Sequence, residues 1–190
     1  YLELDTDDGE VWVMEKETVY PSKTKGFQTK DGIHFVFPNI IVDKTLYKAI
    51  ITLMQSEKVV EDIFAETCAI PPDNLANTLL DGAFTAWQPY GCSKANETPY
   101  KITKVYGFDE ECLPQLCDEE TFQECYGDTP ENNLKIAQGM SVVYREPSDI
   151  QTTEIFRNEM EAKGLKISTQ PNGNAMDTQN APKPKKKHVY

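Results

Sequence analysis

The sequence predicts an α+β fold on three observations. Short apolar runs, Val11 to Met14 and Ile33 to Phe37, have the length and spacing of strands. From Thr45 the apolar residues recur at three and four positions, as one face of a helix requires. The two kinds of element come in mixed order, with neither repeated βαβ units nor an internal repeat of fixed period.

Taken in order, Val11, Trp12, Val13 and Met14 form a continuous apolar run suited to a buried strand. The polar stretch from Pro21 to Lys30 makes a turn or loop. Ile33, Phe35 and Phe37 alternate with His34 and Val36, which predicts a strand with unlike faces and the imidazole on the polar one. Pro38 and Asn39 break it. Leu46, Ile50, Leu53 and Met54, then Val60, Ile63 and Phe64, continue one helical face until Pro71 and Pro72. Strands are expected again at Tyr100 to Tyr106 and Met140 to Tyr144, and a helix at Ile150 to Ala162 that stops near Gly164. The acidic stretch from Asp109 to Asp128 shows no clear period.

At 190 residues and 39% hydrophobic, the composition suits one domain. Residues 1–168 are expected to form it and 169–190 to be a disordered basic tail or linker, since that stretch has almost no large aliphatic residue. The tail holds Lys183, Lys185, Lys186 and Lys187 against Asp177 alone, so the remaining 168 residues carry −15 of a total −12. A body of that sign repels a phosphate backbone, and any nucleic-acid contact must be local. The chain shows no 18-residue apolar run and no secretory leader, which gives an intracellular expectation without membrane contact. It begins at Tyr1 inside a strand-like stretch, as a piece of a longer polypeptide would.

Five cysteines in a chain long enough to bury a core do not predict a disulfide framework. Cys112, Cys117 and Cys125 would be the ligands of a zinc module, yet no close pair and no nearby histidine completes the set.

Only His34 and His188 are available as imidazoles. No nucleophile elbow, no P-loop and no dinucleotide fingerprint occurs, so hydrolase, ATPase and dinucleotide-enzyme motifs are all absent. His34 follows a Gly-containing loop with Lys23, Lys25 and Lys30, a gathering of cations in an acidic protein. Ammonium groups, backbone N–H groups and a ring donor at one place suit a triphosphate, although a solvated hairpin with a structural histidine uses the same residues. Farther on, Asp81 is followed by Trp87, by the turn Tyr90-Gly91-Cys92-Ser93-Lys94 and by the Tyr100 strand. Carboxylate, hydroxyl and ammonium are the parts of a metal-dependent phosphoryl or nucleotidyl site, or equally of a plain surface loop.

Together these segments carry a resemblance. The order VWVMEK, KDGIHFVFPNIIVDK, D-x5-W-x2-YG-x-SK-x5-Y and SVVYR resembles the archaeo-eukaryotic-type primase domain of the primase-helicases of poxviruses and other large nucleocytoplasmic DNA viruses. It spans about Val11 to Arg145, and Gly32 to Pro38 is its most specific part. The resemblance implies a primase palm with an RRM-like antiparallel sheet flanked by helices. It implies that His34 contacts the phosphates of a nucleoside triphosphate, with Ser93, Lys94 and Lys30 as further nucleotide contacts. It also implies that Asp81 binds a catalytic Mg2+ or Mn2+.

The implied activity is primer synthesis on a single-stranded DNA template at a viral replication site in host cytoplasm or nucleus, with a C-terminal helicase domain as partner in the full-length protein. Gln88, Pro89 and Cys92 depart from the family's usual residues. Asp5-Thr6-Asp7 has the form of the family's first acidic motif, but a hairpin turn before the Val11 strand is the expectation. The competing reading is a palm-like domain that binds nucleotide or protein without catalysis.

Overall fold

The computed structural model describes residues 2–3, 9–22, 28–64, 76, 79–81, 90–111, 113–141 and 151–167. Its strands are β1 (Leu2–Glu3), β2 (Val11–Lys16), β3 (Tyr20–Pro21), β4 (Thr29–Lys30), β5 (His34–Val36), β6 (Tyr100–Phe108), β7 (Pro114–Leu116) and β8 (Gln151–Thr152). Its helices are α1 (Lys44–Ser56), α2 (Val59–Phe64), α3 (Glu119–Tyr126), α4 (Pro130–Gly139) and α5 (Glu154–Ala162). The α+β expectation holds. Among the described residues no helix is long and apolar enough to cross a membrane.

The central sheet has the order β5-β2-β6-β7, antiparallel throughout. β2 lies inside it, and Val11 to Met14 are all buried, which is why that strand reads as a continuous apolar run rather than an alternating one. Trp12 and Met14 share one face with Ile102, Val105 and Ile136, and Phe122, Tyr126 and Met140 pack onto that cluster. Replacing Trp12 by alanine would forfeit about 3–5 kcal/mol of packing. Gly139 is required there, since a Cβ on it would stand 2.9 Å from the Trp12 ring.

A second cluster joins Leu46 and Ala49 of α1 to Phe156 and Met160 of α5. Both helices start at side-chain caps. Asp43 accepts from Leu46 N at 2.7 Å, and Thr153 accepts from Phe156 N at 3.3 Å.

Several expectations need correction. The helical stretch from Thr45 to Phe64 is two helices, because Lys58 takes a φ of 53° and breaks the hydrogen-bond ladder between α1 and α2. Met140 caps α4 and begins no strand; residues 142–144 lie outside the described residues. The final helix starts at Glu154, behind the short strand β8.

The acidic stretch holds β7 and α3, and α4 follows it. Asn132 buries its side chain between α3 and α4, donating to the Glu124 and Gly127 carbonyls at 3.0 Å each. On β5 the faces are reversed: Ile33, Phe35 and Phe37 are exposed, and the side carrying His34 and Val36 packs inward. The tail from residue 168, Asp5, Asp7, Lys23, Lys25 and Trp87 lie outside the described residues.

Candidate functional site

Sheet register assembles the site. On β2, Met14 stands opposite His34 of β5, and Lys16, two residues on and therefore on the same face, stands opposite Tyr100 of β6. His34 stacks on the Tyr100 ring with centroids 3.8 Å apart and planes 20° from parallel. Gly32 sits over the tip of the same ring, where a Cβ would come 2.7 Å from the Tyr100 hydroxyl. This gives the G-x-H spacing a reason: glycine lets the chain pass Tyr100 closely, and the residue two places on reaches the ring face.

Lys16 lies beneath. Its Nζ is 4.1 Å from the Tyr20 ring centroid and 4.7 Å from that of Tyr100, and it is paired to Glu97 at 2.7 Å. With 10% of its side chain exposed, the ammonium is largely withdrawn from water. Burial alone would lower its pKa; hydrogen bonds with Glu97 and Tyr20 and the two phenols outweigh that and hold it above the ordinary lysine value.

His34 responds in the opposite sense. Half-burial, then the field of Lys16, push its pKa below the ordinary 6.5, while the Asp81 carboxylate pulls it up. The neutral ring, a donor at one nitrogen and an acceptor at the other, is thus its form near pH 7. Burial pushes the Tyr100 phenol above its usual 10.0.

Asp81 is exposed, in electrostatic reach of both His34 and Tyr47, and its carbonyl accepts from the Tyr47 hydroxyl of α1 at 2.8 Å. The structure therefore places Asp81 within electrostatic reach of His34. Among the described residues, no hydrogen bond or ion pair is seen that joins Lys94, Ser93 or Lys30 to either of them. Ser93 and Lys94 are exposed on the turn between Tyr90 and Tyr100, and Lys30 is exposed on β4, paired with Tyr20.

The turn is nonetheless tied to the cluster. Tyr90 packs into the sheet core and its hydroxyl accepts from Ile102 N at 3.2 Å. Gly91 supplies a φ of 75° that other residues rarely adopt. Glu97 pairs with Lys16, and Thr98 N donates to the Tyr20 hydroxyl at 3.0 Å.

Lys16, Tyr20 and Glu97 were not foreseen as site residues. A signal existed: a lysine spaced by two from Trp12 and Met14 falls on the core-facing side of a strand, where a cation needs a partner.

A Mg2+-type ion takes about six oxygen ligands. Asp81 supplies one carboxylate, and among the described residues no three His, Cys, Asp or Glu side chains gather into a cluster. The described residues thus hold one carboxylate near His34, not a complete metal site. For zinc, Cys117 and Cys125 lie at the two ends of α3 and likewise form no such cluster, while Cys112 lies outside the described residues.

An antiparallel sheet flanked by helices, with the His34 ring stacked on Tyr100 beside the Lys16 ammonium at one end, defines an α+β domain. Residues 1–106 match the family model described as the C962R protein N-terminal AEP domain, that is, an archaeo-eukaryotic primase domain, and the chain belongs to this family. His34, Asp81, Ser93, Lys94, Lys16 and Tyr100 all fall inside the matched span. SVVYR falls beyond it. No curated protein and no solved structure matches the chain significantly.

Proposed function

We propose that this primase-type domain performs metal-dependent nucleotidyl transfer, making primers on single-stranded DNA during viral genome replication, as part of a protein with a C-terminal helicase domain. The observation that carries the reading is the His34–Tyr100 stack, flanked by Lys16 and Asp81, in a chain of the primase family.

In this mechanism the chain's residues bind, orient and neutralise. His34, fixed in direction by its stack, donates a ring N–H to a phosphate oxygen of the nucleoside triphosphate. Ser93 and Lys94, exposed on the turn, and Lys30, exposed on β4, are the further cations and hydroxyl for its outer oxygens. Each well-placed donor that strengthens toward the developing pyrophosphate charge contributes on the order of a few kcal/mol. Asp81 would supply one carboxylate to Mg2+ or Mn2+. When bound, such an ion supplies Lewis acidity at the phosphate and lowers the pKa of the attacking hydroxyl. Template is held through its backbone, which suits priming at many sequences.

The test is de novo oligonucleotide synthesis by the intact protein on single-stranded DNA. His34→Ala is expected to abolish it while the circular dichroism spectrum stays native. Full synthesis by that variant would refute the assignment. Nucleotide binding without incorporation under either divalent ion would instead identify a binding domain.

A further inference from the structure

We propose that Lys16 is a phosphate-receiving cation of this site and that Glu97 occupies it until the nucleotide arrives. The nucleotide then displaces Glu97 and frees the turn that carries Ser93 and Lys94. The inference rests on the reading that a nucleoside triphosphate binds at His34. It goes beyond that reading by naming a residue and a coupling that the family motifs do not contain.

Three observations support it. First, Lys16 lies on the His34 face of the sheet, diagonal to His34 across the register, and its field already reaches the imidazole. A triphosphate bound to that ring therefore meets the Lys16 ammonium, whose attraction for an anion is strengthened by partial withdrawal from water. Second, Lys16 is paired with a side chain from the very turn that presents Ser93 and Lys94. A carboxylate and a phosphate compete for the same ammonium, and the polyanion carries more charge.

Third, the turn has separate anchors. Tyr90 fixes its start to β6, and Tyr20 holds Thr98 through its backbone N–H and carbonyl at 3.0 Å each and its hydroxyl at 2.9 Å. Release of Glu97 thus leaves both ends in place and frees the part between. There Glu97 N donates to the Lys94 carbonyl at 3.1 Å and Asn96 holds a φ of 65°. Lys94, exposed on the turn, can then swing toward the phosphates.

The experiment measures binding of ATP and of dATP, each with Mg2+, to the intact protein and to variants at Lys16 and Glu97, together with hydrogen exchange of the turn amides. Glu97→Gln removes the competitor and is expected to tighten binding by about 2- to 5-fold, the upper part of the range of one partly exposed ion pair. Lys16→Gln is expected to weaken it by at least about 10-fold, as loss of a charge-assisted contact does. Glu120→Gln removes the same charge from an exposed site on α3 and is expected to leave affinity unchanged. In the wild type, the Glu97 amide is expected to exchange faster with nucleotide bound.

If His34→Ala weakens binding but Glu97→Gln and Lys16→Gln do not alter it, the nucleotide reading stands and the Lys16 switch is overturned. Unchanged exchange at Glu97 on binding overturns the release of the turn. Absence of nucleotide binding by the wild type overturns both. Thermal melts of each variant identify any loss of affinity that comes from unfolding, and Glu97→Gln, which changes no shape, keeps the test decisive if Lys16→Gln unfolds.

Discussion

His34 is a neutral ring near pH 7 because burial and Lys16 both oppose its proton. Its folded pKa is therefore below its unfolded value of about 6.5. The unfolded chain takes up the proton first, so the stability His34 contributes is complete above about pH 6.5 and declines as pH falls toward the folded value. The difference in urea midpoint between the wild type and His34→Gln is expected to be constant above about pH 6.5 and to shift against the wild type as pH falls toward about 5; a difference unchanged from about pH 5 to 8 would contradict it. Gly32 offers a second test at this scale. Gly32→Ala forces Tyr100 to shift while His34 and Lys16 hold its ring, and about 1–3 kcal/mol of overpacking strain is expected. A melting temperature equal to wild type would show that the ring moves freely.

Among elements, α1 links the second core cluster to the site, since it packs through Leu46 and Ala49 and presents Tyr47 to the Asp81 carbonyl. Asp43→Ala removes its cap and is expected to lower stability by about 1 kcal/mol in chemical denaturation. Tyr47→Phe is expected to change stability little and to weaken metal-dependent incorporation by loosening Asp81; unaltered incorporation would argue against that positioning role.

This is also the scale at which sequence and structure part. The strands at Val11 and Tyr100 and the helix face from Leu46 were legible because burial there is dense enough to write a period. α3 and α4 were not: α3 buries no residue fully and α4 only Asn132 and Ile136, so their apolar pattern is weak. Their caps, Asp118 and Thr129-Pro130, were the readable signal. The break at Lys58 carries neither glycine nor proline, so nothing local announced it. On β5 the alternation was read correctly but its direction was not. Tyr100 and Lys16, distant in sequence, make the His34 side the packed one.

For the whole molecule, charge decides how polyanions approach. The first 168 residues carry −15, so attraction for a strand of DNA is confined to the few cations around His34 and to the tail lysines. Binding of single-stranded DNA is expected to fall with salt by a slope corresponding to only a few released counterions, roughly 2 to 4. A slope near 10 in an affinity titration from low to physiological salt would reveal a continuous basic groove. Of the residues around the Tyr100 ring, His34 and Asp81 were singled out in the sequence by their motifs. The Lys16, Tyr20 and Glu97 cluster depended on pairings across some 80 residues, of which the sequence shows locally only the place of Lys16 on the core face of β2.

The claim on which the account depends is that a nucleoside triphosphate docks against the His34 ring. With only two histidines in the chain, the imidazole NMR spectrum is simple, and His188 serves as an internal reference. On titration with ATP and Mg2+ the His34 ring signals are expected to shift and its pKa to rise as phosphate offsets the field of Lys16, while His188 stays put. Saturable ATP binding that leaves the His34 resonances and pKa unmoved would contradict the account.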